Sequence, residues 1–319
     1  MLNKLFLTLV CLVGTTCLFA QTRGHEFGIQ SDNDSFLGQG SDRYYTNGIF
    51  FYYRKALQVN QSEKDLQNKV LGFELGQKMF NPQSGYVRGP YDVDRPFAAY
   101  SYIGSTLNFL YKNESNLKLG AQLGLVGPAA GGEPVQKLIH NTFGFYTLNG
   151  WQYQIKNDVE LNLSAEYNKL LARASWIDLS FASYANLGNG FTGAGAGGFV
   201  RIGNFNQLFN SISTQSTVST GGEDQLLHKH EIFFYYKPLA NVVGYDATIQ
   251  GSLFRKHDDP NSMEITGNKK PFIFSQQFGL AFTTSRFAFD IAAIFHTKDA
   301  EEMLRSHQWG SITGFYRFK

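Results

Sequence analysis

Segments in which polar and apolar residues alternate recur along almost the whole chain, and they restrict its fold more than any other feature. The clearest is the last, 309–318. It puts Gly310, Ile312, Gly314, Tyr316 and Phe318 on one face, and Ser311, Thr313, Phe315 and Arg317 on the other. A period of two is the signature of a β-strand. Similar segments occupy 48–53, 70–80, 97–111, 117–126, 159–170, 176–187, 191–202, 231–237, 242–254, 272–284 and 287–296. Many are about ten residues or longer, enough to cross a bilayer at a tilt. Short turns such as 112–115 and 239–241 alternate with longer polar stretches such as 81–94, 203–227 and 256–270. That asymmetry suits an antiparallel transmembrane β-barrel, with short turns at one end and long loops at the other. About twelve to fourteen strands are expected, because the region after Gly150 divides in two ways, and an even number is preferred.

Composition alone does not separate a membrane barrel from a secreted β-sandwich. Aromatics are 15%, Gly is 33 residues, Pro only 8 and charged residues 17%. No later apolar stretch reaches the length of a spanning helix. The alternation tips the balance, and so does the final strand. Its aromatic end, Phe318 followed only by Lys319, resembles the signal that outer-membrane assembly machinery reads.

The first twenty residues read as a secretory signal peptide: Lys4, an apolar run 5–13, and small residues ending at Ala20. The expected organisation is a signal peptide at 1–20 and one barrel domain at 21–319. Lipidation of Cys17 would need a better match than Gly14-Thr15-Thr16 in front of it. Both cysteines, Cys11 and Cys17, lie in the leader, so the exported chain has no disulfide framework and no Cys metal site.

Several apparent motifs carry no chemistry. Gly193, Gly195 and Gly198 match G-x-G-x-x-G, but they lie inside an alternating segment with no helix after them. Asp32, Asn33 and Asp34 open like an EF-hand loop, yet Phe36 and Arg43 stand at ligand positions. There is no G-x-S-x-G, P-loop or H-E-x-x-H. His228 and His230 would share a strand face, and two ligands alone make a poor metal site.

Two clusters remain. In the first, Asp32-Asn33-Asp34-Ser35-Phe36 follows the first strand and Asp42-Arg43-Tyr44-Tyr45-Thr46-Asn47-Gly48 leads into the second. Clustered carboxylate and amide oxygens suit a hard cation such as calcium, although Asp and Asn are also ordinary turn and capping residues. The second is the glycine-rich 124–132, followed by Glu133-Pro134-Val135-Gln136-Lys137-Leu138-Ile139-His140. Pro134 suits the first residue of a short helix, and there Gln136 and His140 would share a face. This helical insertion would lie near the extracellular end.

Taken together, these stretches resemble the outer-membrane lipid A 3′-O-deacylases of the LpxR type. The matching pieces are Asn33-Asp34-Ser35-Phe36, Asp42 to Gly48, Gly76-Gln77-Lys78-Met79-Phe80, Asp94-Arg95-Pro96-Phe97-Ala98, Gly124-Leu125-Val126-Gly127-Pro128, and Gln136 to His140 running on to Gly150-Trp151. They stand in the family's order through the first half of the exported chain. The resemblance implies twelve strands and a calcium-dependent hydrolase of the 3′-linked acyloxyacyl ester. His140 would be the general base on water, Asn33 and Asp34 would hold Ca2+, and Thr46, Lys78 and Gln136 would be further polar residues at the reacting centre. The family's acid shortly after its His has no counterpart in 141–149. The implied partners are lipid A (lipopolysaccharide) and the surrounding outer-membrane lipids. A monomer is expected, and no nucleic-acid partner. Two rivals remain: an outer-membrane phospholipase A-like esterase, which needs a Ser beside His140, and a non-enzymatic channel or adhesin.

Overall fold

The computed structural model describes residues 23–38, 42–220, 226–255 and 261–319; the proposed leader lies outside them. Twelve antiparallel strands close on themselves. They are β1 (His25–Asn33), β2 (Tyr45–Ala56), β3 (Leu66–Phe80), β4 (Ala98–Tyr111), β5 (Ser115–Val126) and β6 (Asp158–Arg173). β7 (Ile177–Gly188), β8 (Phe191–Asn204), β9 (Ile232–Asp246), β10 (Phe272–Thr283), β11 (Phe287–His296) and β12 (His307–Phe318) complete the wall. The C-terminal strand closes it, pairing with β1 from His25↔Phe318 to Asn33↔Gly310. Closure satisfies every strand's ladder and leaves no edge in the bilayer. No described helix is long and apolar enough to cross a membrane.

The alternation becomes an inside and an outside. Phe27, Ile29, Phe51, Phe73, Leu75, Leu161 and Ile291 are exposed on the outer wall, where lipid covers them. The inner face carries buried charge in pairs. Arg54 meets Glu26 at 2.7 Å, and Arg201 forks onto Asp178 at 3.0 and 2.6 Å. Removing one member of a fully buried pair leaves an unpaired charge, a cost of about 3–5 kcal/mol.

Three expectations change. The expected segments 231–237 and 242–254 merge into a single strand, β9, which runs straight through the presumed turn at 239–241 but ends at Asp246, where a helical turn over 247–250 follows. Pro238 lacks an N–H, so the β8–β9 ladder skips from Gly197↔Leu239 to Val200↔Tyr236. Gly197 makes that gap possible, since a Cβ there would lie 1.9 Å from the Pro238 carbonyl oxygen. Gly193, Gly195 and Gly198 also lie in β8, with no phosphate-binding turn. His228 and His230 precede β9 instead of sharing one of its faces.

The long stretch between β8 and β9 was expected among the outer loops. Its described part lies instead at the end that holds Arg23 and Lys319, with the turns 112–114, 174–176 and 284–286, and it folds into the lumen. Its backbone is held by inward side chains. Asn68 donates to the Val218 carbonyl (2.8 Å), Asn108 to that of Thr214 (2.8 Å) and Arg201 to that of Asn206 (3.0 Å). The Glu231 carboxylate accepts from Asn206 N (2.9 Å), Ser211 Oγ (2.6 Å) and Ile212 N (3.0 Å). Hydrogen-bonded in this way, a polar segment can be buried without cost from orphaned groups. It plugs this end of the barrel.

Among the described residues there is no cysteine, and stability rests on a continuous backbone ladder. Unboiled and boiled samples should migrate differently on a denaturing gel. Recovery of the protein from periplasm without detergent would contradict the barrel.

Candidate active site

The long connection between β5 and β6 carries α1 (Gly132–Phe143), two residues longer at its start than Pro134 suggested. Pro134 still sits in the first turn, where its missing N–H has no helical partner to lose. The buried face of α1 is Gly132, Gln136 and His140, spaced four apart. Only glycine fits at 132, because a Cβ would lie 2.4 Å from that of Ala99 on β4. The Ala130 carbonyl, just ahead, accepts from Gln77 Nε2 (2.6 Å) on β3 and Ser101 Oγ (2.7 Å) on β4. Gln77 alternates with the lumen-facing Gly76 and Lys78, so these bonds pin the helix to the outer face of the wall. Beneath it, Met79, Val87, Phe97, Ala99, Ala130 and Trp151 form a small core.

His140 is fixed at both ring nitrogens. Nδ1 lies 2.7 Å from the Tyr146 carbonyl oxygen, so Nδ1 is the donor there. Nε2 lies 3.0 Å from Asp42 Oδ2. The same oxygen accepts the Tyr146 hydroxyl at 2.6 Å, and Thr46 Oγ1 donates to Asp42 Oδ1 at 3.1 Å. The rings of Phe145 and Tyr146 meet the imidazole edge-on, with centroids 5.5 and 4.8 Å away. Burial first, and then the hydrogen bond to Asp42, push the Tyr146 phenol far above its ordinary value, so it stays a donor.

Asp42 reaches this position from an unusual backbone. Asp42 and Tyr44 both have positive φ, 45° and 63°, and a bulky residue there signals strain held by its surroundings. Tyr44 is held by Asn81 N–H on its carbonyl (2.8 Å) and by its hydroxyl donating to Asp94 (2.6 Å). A bulge between Tyr45 and Asn47 re-aims Thr46 toward Asp42.

Asp34 is buried next to this group, its Oδ2 accepting the Arg43 N–H at 2.7 Å. Burial raises its carboxyl to about 7; the Arg43 N–H opposes this, and the Asp42 charge adds to it. Asn33 caps the turn Asp34–Leu37: Oδ1 accepts the Ser35 N–H at 2.7 Å, and Nδ2 donates to Asn47 Oδ1 at 2.6 Å. Gln136 Oε1 accepts the indole N–H of Trp151 at 2.9 Å, while its Nε2 is buried with no partner.

Lys78 is the expected residue that the fold does not bring here. It faces the lumen, Nζ 6.0 Å from the Tyr102 ring, in a cavity of about 310 Å3 that Asp32, Glu74 and Trp309 also line. Alternation sets this: Met79 faces α1, so its neighbour Lys78 faces inward. In place of the acid sought after His140, the fold supplies Asp42 from the β1–β2 connection, together with Tyr146. The only signal for Asp42 was its place in the stretch leading into β2.

Asp34, Asp42 and Thr46 thus form an all-oxygen donor group, in which the Asp42 charge adds to the burial that raises the Asp34 carboxyl. A hard divalent cation fits such a group. Asn33 has its oxygen engaged in the cap and acts on Asp34 by position.

No curated protein matches the chain. Among solved structures it is similar to LpxR from Salmonella typhimurium, at 23% identity over 92% of this chain and 100% of that one, with a TM-score of 0.73. A more distant similarity is to the β domain of the Bordetella autotransporter BrkA, at 10% identity over 93% and 99% of the chains, with a TM-score of 0.49. The family profile described as outer membrane protein LpxR matches residues 5–318, and the chain belongs to that family of outer-membrane proteins.

Proposed function

We propose that this protein hydrolyses the 3′-linked acyloxyacyl ester of lipid A in the outer leaflet, with His140 as general base on water. The observation that carries the reading is where His140 sits: buried between α1 and the outer wall, bonded at Nδ1 and facing Asp42 at Nε2. A base on the lipid side of a barrel suits a substrate that never leaves the bilayer. With the proton held on Nδ1, Nε2 takes the proton of the attacking water. Asp42 then stabilises the imidazolium formed, and Tyr146 and Thr46 hold Asp42 in place. The unpartnered Gln136 Nε2 is a spare donor on the same helix face, available to orient substrate or water.

Asp34, Asp42 and Thr46 would hold calcium, which when bound supplies positive charge for the ester oxygen. A serine esterase of the phospholipase A kind would need a Ser hydroxyl on His140, and its ring nitrogens face Tyr146 and Asp42, neither of them a serine. A channel would need an open lumen, and the 205–218 segment fills one end of it.

The test is purified lipid A incubated with the detergent-solubilised barrel and read by mass spectrometry. Loss of the 3′-linked acyloxyacyl group is expected. Intact lipid A, or fatty acid released from phospholipid instead, would overturn the reading. Asp42→Asn should keep the barrel folded and lower turnover about ten- to a hundredfold, the usual cost of losing a group that positions the reacting one. Unchanged turnover would remove Asp42 from the site.

A further inference from the structure

A second group of ligand-type side chains lies on the other side of the wall. His296 closes β11 and His307 opens β12, and the two are paired directly across the hairpin. Both stand on its lumen face, continuing the inward series of Asp290 and Ala292 on β11 and Trp309 and Ser311 on β12. Asp299, in the connecting loop, folds back over them. Its Oδ2 lies 2.9 Å from His307 Nε2, and its Oδ1 lies 3.6 Å from His296 Nδ1. The three ligand atoms lie within 4.8 Å of one another, the only such grouping of His, Asp or Glu among the described residues.

An ordinary His–Asp ion pair does not account for this geometry. His307 is 4% exposed, yet neither Nδ1 nor Nε2 has a hydrogen-bond partner, and Asp299 Oδ1 has none either. The 2.9 Å approach of His307 to Asp299 is therefore close without being aligned for N–H donation. Buried polar atoms without aligned partners are rare and costly. One ring nitrogen of His307 and Asp299 Oδ1 both belong to the three-residue group, and a shared third body would leave both without an aligned partner. Ligand atoms around a tetrahedral zinc lie about 3.3 Å apart, given bonds of about 2.0–2.1 Å. The spacings here bracket that value.

We infer that His296, Asp299 and His307 form a binding site for a borderline divalent metal of the zinc class, distinct from the oxygen-donor group at Asp34 and Asp42. Two imidazoles and one carboxylate select zinc, or copper and nickel, over calcium. The side chain of His296 is about a quarter exposed, which leaves access and a fourth position for water. The metal would tie the 297–306 loop to the hairpin beneath it. That loop also holds Tyr44, whose hydroxyl accepts the Leu304 N–H at 3.2 Å and whose ring meets His307 edge-on. The site thus braces the extracellular mouth of the barrel and does no ester chemistry.

The experiment uses the full barrel in detergent, stripped with chelator and then titrated with zinc chloride, with bound metal counted after gel filtration. One zinc per chain is expected in the wild type and in His140→Gln. His296→Gln and Asp299→Asn should each weaken binding about a hundredfold or more, at the upper end of what even supporting residues of a metal site contribute. Cobalt should give the absorption of a tetrahedral complex in the wild type and not in either variant. Zinc should also raise the temperature at which the folded gel band is lost, in the wild type alone. Zinc bound equally by the two variants, or lost in His140→Gln and kept in His296→Gln, would overturn the assignment. So would no binding at micromolar zinc. None of these readouts depends on whether lipid A is deacylated.

Discussion

His140→Gln should leave insertion and the heat-modified gel shift intact while deacylation falls by about a hundredfold to ten-thousandfold, the usual worth of a positioned acid–base group. Glutamine keeps a polar side chain of similar reach on α1, so the buried face need not collapse. It has no nitrogen that can take a proton at Nε2's position, so the proton of the attacking water has no receiver. Gln136→Ala, one turn earlier, should cost less, because it removes an orienting amide and not the base. Near-normal turnover by a folded His140→Gln barrel would refute the assignment.

Removing calcium should abolish turnover, and adding it back should restore activity more effectively than zinc does. Hard oxygen ligands favour calcium at Asp34, Asp42 and Thr46. The pH dependence follows from Asp34, whose carboxyl is raised from an ordinary 3.8 to about 7. A carboxyl raised in the folded state favours the protonated fold. In the calcium-free protein Asp34's contribution to stability should therefore be full below about pH 4 and be lost as pH climbs through 7. Calcium needs the ionised form, so its affinity should rise over the same window and binding should release a proton. Calorimetry in two buffers of different ionisation enthalpy reads that proton directly. Full activity after exhaustive chelation, or calcium affinity flat from pH 5 to 8, would count decisively against the metal role.

Much of the architecture was legible in the chain. Alternation marked the strands, because a residue's side of a strand depends only on its parity. The helical insertion could be read from Pro134 and the glycines before it, and the shared face of Gln136 and His140 from their spacing of four. The failures have physical causes. The turn expected at 239–241 is instead strand, because Gly197 on the neighbouring strand makes room for Pro238 inside the ladder. The 203–227 stretch looked like an outer loop because it is polar, and polar groups between 206 and 218 are satisfied inside the lumen by Asn68, Asn108, Arg201 and Glu231.

By itself, then, the sequence determined a closed membrane barrel with a short helix inserted between two strands and a histidine on that helix. Those features follow from local periodicity and local turn chemistry, which each segment carries alone. Tertiary structure decided which acid meets His140, since Asp42 and the Tyr146 that donates to it are 104 residues apart. It also decided that α1, and His140 with it, packs on the outer face of the wall, away from Lys78 in the lumen. Pairings of this kind depend on closure and packing between distant segments, and no pattern within a single segment records them.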